Sequence, residues 1–322
     1  MWFEHPKYKV AYRELISQLK RDSSSTSLSA KRSYLFGREP LPKIIFICGG
    51  DPEFCSNREV MEVYLKRHAY NILTFRAEYA WDTIVKSRKN NINALALEEW
   101  LADFSDVVII LVESFGTVAE LGAFSMATDL RRKLLPILDK QFEHVPSFIN
   151  TGPVKWVNQE SKYGPCIYSE FESILTCMPE LISRVDLRRS RNYTTRDEEH
   201  TYGNMKFNRK ELLFIVILII ISIDPVTEDI ILDACKDSFN IHTKTEVSDL
   251  KFIISLSVAL GVIGCIEINE TVYYYCNSFE ELKSNKSMQA LMRVSQDIRA
   301  KCVSSLVYID AYNKTLNKVL NC

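Results

Sequence analysis

The chain has 322 residues, 47% of them hydrophobic and 25% charged, with a formal net charge of −1. That length predicts two domains with a sizeable core, and the near-zero charge leaves any nucleic-acid contact to local patches. Nine scattered cysteines without a C-x-x-C pair argue against a zinc site and a disulfide framework, and favour a reducing cytoplasm.

The first residues, MWFEHPKYKV, carry charges and a proline where an export signal needs an apolar core, so no such signal is expected. Residues 1–40 read as an amphipathic helix, YKVAYRELISQLKR, and a polar linker, DSSSTSLSAKRS. From Lys43 the rhythm changes. KIIFICGG is a continuous apolar run ending in two glycines, which predicts a buried parallel strand. NREVMEVYLKRHAY has helical spacing, with Val60, Met61, Val63, Tyr64 and Leu65 on a broad apolar face. NILTF reads as a second strand, and INALALEEWLADF as an amphipathic helix. DVVIILVES, TVAELGAFSMATDLRR and KLLPIL follow as strand, helix and strand. This alternation predicts a parallel sheet covered by helices, over residues 41–182.

Residues 183–206 form a basic, aperiodic stretch that reads as a linker, able to touch a phosphate backbone or simply to be solvated. Residues 207–322 predict three helices, a hairpin from GCIEIN and TVYYYCN, and one closing helix, the element order of a winged helix-turn-helix. The 12-residue apolar run Leu212–Ile223 falls short of the roughly 20 residues that span a bilayer, so it predicts a buried helix in a soluble protein. Glu246 and Asp249 at the start of the third helix would repel phosphates, which argues against sequence-specific reading of a duplex. Among Tyr273, Tyr274 and Tyr275, core packing is expected of at least one.

Ligands of open parallel sheets bind beyond the carboxyl ends of the strands. Three segments converge there: Cys48-Gly49-Gly50-Asp51, Phe75-Arg76-Ala77-Glu78, and Glu113 to Glu120. The double glycine either exposes amides to a phosphate or sugar oxygen, or simply makes a turn. In the third segment Gly116-Thr117 sits at the turn, Thr117 is the expected N-cap, and Glu120 falls in the first helical turn, where the helix dipole favours its ionised form. An ionised, positioned carboxylate suits cleavage of an N-glycosidic bond, because it can stabilise or attack an oxocarbenium-like carbon. The other reading makes Glu120 a capping-box partner of Thr117.

The stretch ESFGTVAELGAFS resembles the active-site turn of nucleoside 2-deoxyribosyltransferase-like proteins, in particular the branch serving as toxic effectors of bacterial retrons. ICGGD at 47–51, LRRKL at 130–134 and SFINTGP at 147–153 are similar to the same branch, so the resemblance covers roughly 43–155. It implies a flavodoxin-like α/β sheet, and a C-terminal winged-helix domain is in keeping with it. It implies Glu120 as the catalytic carboxylate, Glu113 and Ser114 as groups holding base or ribose, and Glu78 near an acidic position after the second strand. Gly49, Gly50 and Asp51 would lie against ribose or phosphate, with Gly116 and Thr117 shaping the turn. The implied activity is hydrolysis of the N-glycosidic bond of a nucleotide such as NAD, as substrate, with no cofactor or metal. The implied partners are a reverse transcriptase and its RNA-linked DNA (msDNA), in a complex of possible higher order and without a membrane. The first loop lacks the tyrosine that orients the nucleophile in true deoxyribosyltransferases, and no pocket for an incoming base is evident, so hydrolysis is favoured over transfer. A non-catalytic nucleotide sensor is the rival reading. Phe115 stands where relatives often carry proline, as a base-stacking ring or as core.

Overall fold

The computed structural model describes residues 2–20, 41–51, 53–69, 71–78, 98, 100–102, 104–186, 208–277 and 286–321. The linker at 21–40, most of the segment INALALEEWLADF and the basic stretch beyond Asp186 lie outside the described residues. The chain divides into two compact units, one of residues 42–193 and one combining 1–41 with 194–322. Helix α1, Pro6–Lys20, belongs to the second.

The first unit is α/β. Its strands are β1 (Lys43–Cys48), β2 (Ile72–Phe75), β3 (Val107–Leu111), β4 (Leu134–Asp139) and β5 (Ile167–Ser169), all parallel, in the order 2-1-3-4-5. Helix α2 (Asn57–His68) connects β1 to β2, and α3 (Phe115–Met126) follows β3. Apart from Lys43 and Asp139 at their ends, β1, β3 and β4 are apolar and buried because both faces of the sheet are covered. On one face Ile45, Ile47, Val107, Ile109, Leu135 and Ile137 meet Met61 and Leu65 of α2 and Met178, Leu181 and Val185 of a later helix. The alternate residues Phe46 and Cys48 point to the opposite face, where the Phe46 ring stacks on Phe75 at 5.2 Å. α2 is narrower in its apolar contact than its sequence suggests: Val60 and Val63 are exposed, and the buried stripe is Arg58, Met61 and Leu65.

The second unit is built on helix Arg209–Ile223, buried on every side from Glu211 onward. Asn208 caps it through a box with Glu211: its Oδ1 accepts the Glu211 amide at 2.8 Å and its own amide donates back at 3.1 Å. Helices Glu228–Phe239 and Lys244–Ala259 follow, then the antiparallel hairpin Ile263–Ile268 with Thr271–Cys276. Tyr275 lies opposite Gly264 and its ring covers the bare glycine, where an added Cβ would stand 2.4 Å from the ring and make it shift. Tyr273 and Tyr274 are both buried. The one closing helix expected from the sequence is instead two, Lys286–Leu306 and Asp310–Leu320, broken at Val307–Ile309 without any proline or glycine. Among the described residues no helix is long and apolar enough to cross a membrane.

Asp224 pins this unit together. Its carboxylate accepts the Cys276 amide at 2.9 Å and an ion pair from Arg299, and its carbonyl accepts the Tyr312 hydroxyl at 3.0 Å. One buried residue thereby joins the central helix, the hairpin and both closing helices. Replacing Asp224 by alanine strands the Arg299 charge and should destabilise this unit by about 3 kcal/mol. Urea denaturation followed by circular dichroism measures it, and an unchanged midpoint would refute the pinning role.

Candidate functional site

The carboxyl ends of β1 and β3 lie side by side, so the loops after them meet. Glu113, two residues past β3, closes that junction: its Oε1 accepts the Gly50 amide at 3.0 Å and its Oε2 accepts Asn57 Nδ2 at 3.2 Å. The Gly50 amide is therefore engaged by Glu113 within the protein. Gly50 has to be glycine because an added Cβ would lie 2.5 Å from Cys55 Sγ. At Gly49 an added Cβ would lie 2.9 Å from Cδ of Arg58, whose buried stem packs there. Asp51 is exposed, and its Oδ1 accepts the Glu53 amide at 2.9 Å, which shapes the loop.

The turn into α3 is capped three residues earlier than its sequence suggests. Ser114 is the N-cap: its Oγ accepts the Thr117 amide at 3.2 Å, and Thr117 Oγ1 accepts the Ser114 amide at 3.0 Å. Thr117 Oγ1 also accepts the Glu113 amide at 3.1 Å, so this buried hydroxyl knits the whole turn. A serine cap wins because its extended backbone precedes the helix, whereas Thr117 is already helical. Gly116 is exposed at this turn. Phe115 is 98% exposed, which removes the core alternative for its ring.

Glu120 consequently sits in the second turn of α3 and takes no part in the cap. Its Oε2 is buried with no hydrogen-bond partner. Burial raises Glu120 from 4.5 to about 7, helped by the charges of Glu98 and Glu78 and opposed by the neighbouring Cys48 thiol and Arg58. The helix terminus does not win here: a dipole weakens beyond the first turn, while desolvation acts on the whole carboxylate.

Arg58 and Glu98 are the two members of this cluster that sequence reasoning missed. The Arg58 guanidinium, almost wholly buried, pairs with the more exposed Glu78 at 2.6 Å, and its Nε is buried without a partner. Glu98 is itself raised, by burial first and then by Glu78. Glu78, Glu98 and Glu120 thus gather near one guanidinium, which pairs with Glu78 and also acts on Glu120, an acidic cluster that would favour a cationic or oxocarbenium-like centre. Arg58 looked like a surface residue of α2, and Glu98 one acid among several on an amphipathic helix. Among the described residues no cluster of histidine, cysteine and acids could hold a metal ion.

Two motif segments outside this cluster are structural in their contacts. Arg131 is buried, pairs with Glu160 at 2.8 Å, donates to the Ser125 carbonyl at 2.6 Å and lies 4.8 Å from the Trp156 ring. It is no free contact for a polynucleotide. Asn150, in a π-helical turn over Asn150–Val154, donates to the carbonyls of Phe142 and Val145 at 2.7 and 2.8 Å and accepts the Tyr168 hydroxyl at 3.2 Å.

Residues 54–265 match the profile of the STM3845 retron effector protein family. This chain belongs to that family. The effector is also 39% identical over 112 residues to "Retron Ec86 putative ribosyltransferase/DNA-binding protein" of Escherichia coli, covering 34% of this chain and 36% of that one. To the protein of the same description from retron Ec73 of Escherichia coli it is 32% identical over 126 residues, 37% of this chain and 39% of the relative. These alignments span well under half the length of either relative.

Because the folded effector holds the Glu120 proton more tightly than an open chain does, this residue's contribution to stability is complete below about pH 4.5 and is lost as pH rises through about 7. Glu120→Gln carries no such loss. Relative to the parent it should gain on the order of 2 kcal/mol at about pH 8 and little at about pH 5. Thermal denaturation at both values tests this, and an equal difference at both would show that Glu120 titrates normally.

Proposed function

We propose that this retron effector is an N-glycosidase that hydrolyses the bond between ribose and base in a nucleotide, with NAD as the first candidate substrate. The observation that carries the reading is Glu120: a carboxylate in the helix that follows β3, with one buried oxygen left without a partner. Glycosidic cleavage calls for such an oxygen, which stabilises or attacks the anomeric carbon as the base departs. Nicotinamide leaves from a positively charged ring, and the acidic excess around Glu120 favours that charge over a neutral nucleoside. The strand order 2-1-3-4-5 is that of flavodoxin-like sheets, which place ligands between the first and third strands, beside Gly49, Gly50 and Glu113.

In this reading Glu120 is the nucleophile or oxocarbenium stabiliser. Glu113, Ser114, Gly116 and Thr117 shape the turn beneath the sugar, Gly49, Gly50 and Asp51 form the opposite wall, and Glu78 with Arg58 sets the local charge. Phe115 offers an exposed ring for a base. Glu120 capping Thr117 would have favoured the nucleotide-sensor alternative; Ser114 is the cap instead, which supports the enzyme reading. The second unit fits a winged helix: three helices, a hairpin, and Val226 bridging to Tyr274 as a short third strand. Glu246 there serves as a helix-capping acid, accepting the Thr243 amide at 2.9 Å, which suits docking on protein or msDNA through other faces better than duplex reading. A reverse transcriptase and its msDNA are the proposed partners, which hold the activity in check.

The deciding experiment follows nicotinamide release from NAD by the purified chain, alone and with the reverse transcriptase and msDNA, beside a panel of deoxynucleosides. Release should fall about a hundredfold or more in Glu120→Gln. Cleavage of a deoxynucleoside instead would change the substrate. No turnover under any condition would overturn the enzyme reading.

A further inference from the structure

Arg58 is a charged side chain driven inside at the carboxyl edge of the sheet. It is the second residue of α2, and its stem packs on the bare backbone of Gly49, where an added Cβ would lie 2.9 Å from its Cδ. Only 3% of the residue is exposed. From there the guanidinium reaches Glu78, three residues past β2, and Nη2 donates to its Oε1 at 2.6 Å. Arg58 thus links the loops that follow two neighbouring strands, at the edge where such sheets take their ligands. The Glu78 side chain is 55% exposed, so this pair is too open to repay the burial of a guanidinium. Stability alone does not explain the residue.

A guanidinium carries several N–H donors, and a buried donor left unsatisfied costs more than a hydrogen bond gains. Among the described residues Arg58 makes its one hydrogen bond to Glu78, and its Nε is buried without a partner. What it lacks is an acceptor, not a countercharge. A phosphate would bring more negative charge into the acidic cluster of Glu78, Glu98 and Glu120. A hydroxyl accepts from the buried N–H without charge and gives its own proton to a carboxylate. In a nucleotide, the hydroxyl beside the glycosidic bond is the ribose 2′-hydroxyl, whose hydrogen bonds strengthen as the anomeric carbon gains charge. We propose that Arg58 is a substrate-binding and specificity-determining residue, donating to the ribose 2′-hydroxyl while Glu78 fixes its orientation. The substrates are then ribosides and not their 2′-deoxy counterparts. This rests on the glycosidase reading of the same site.

The test compares the full chain with its Arg58→Lys variant, which keeps the charge and loses the Nε–H, with and without the reverse transcriptase and msDNA. Nicotinamide release is measured from NAD and from its analogue with 2′-deoxyribose beneath the nicotinamide, then from nicotinamide riboside and its 5′-phosphate. The ratio of kcat/KM for the ribose over the deoxyribose substrate should fall about tenfold or more in the variant. Comparing the two proteins cancels the different intrinsic reactivity of the sugars. Equal losses on both sugars would make Arg58 structural, and a loss confined to phosphate-bearing substrates would make it a phosphate ligand. Either result overturns the proposal. A second arm needs neither a folded variant nor turnover: nitrogen-15 NMR follows the Arg58 Nε–H of the parent as nicotinamide riboside, adenosine or their 2′-deoxy forms are added. Ribosides should shift that resonance and deoxyribosides should leave it in place, while a resonance indifferent to the 2′-hydroxyl would sink the idea. A riboside-specific shift without cleavage of any substrate would uphold ribose recognition by Arg58 while the glycosidase reading falls.

Discussion

The arrangement depends on a single clasp, the carboxylate of Glu113 gripping the Gly50 amide and the Asn57 side chain across the ends of two neighbouring strands. A parallel sheet leaves its loops free to diverge once the ladder ends. Here the clasp holds them together, and with them Cys48, Arg58 and the start of α3. The glycines serve it by absence: Gly50 admits Cys55, and Gly49 admits the stem of Arg58. Both Glu113 oxygens are spent on this clasp, so the acid fixes the mouth of the sheet whatever else it touches.

With the frame held, the chemistry concentrates on one strained equilibrium. Desolvation and two like charges oppose ionisation of Glu120, while a thiol and a guanidinium favour it, and the balance falls near neutrality. Such a group exists in both forms at working pH, which general acid–base and nucleophilic chemistry both exploit. Proteins carry destabilising groups of this kind where function outweighs stability.

Much of this was legible in the residues. The apolar runs of β1, β3 and β4 can only be buried strands, and the polar turn after β3 marks Glu120 without any structure. What was hidden depended on partners distant in sequence. β5 is three residues long with a tyrosine at its centre, too short for periodicity to register. The buried fate of Arg58 follows from the bare backbone of Gly49, which no local pattern reveals. The cap was misplaced by three residues because serine and threonine both flank the turn and only backbone extension separates them. The break between the closing helices falls in Leu-Val-Tyr-Ile, which contains no helix breaker and yields to packing alone.

The discontinuous second unit has a consequence for synthesis. Helix α1 packs against the helix Lys286–Leu306, with the Cys302 thiol reaching the Ala11 carbonyl at 3.4 Å. Ribosomes deliver α1 first and its partner nearly last, after the whole sheet unit has emerged. Tyr8, Ala11, Leu15 and Leu19 therefore wait uncovered while residues 42–193 can already fold. Until that later helix is made, the stripe has no helix Lys286–Leu306 to pack against.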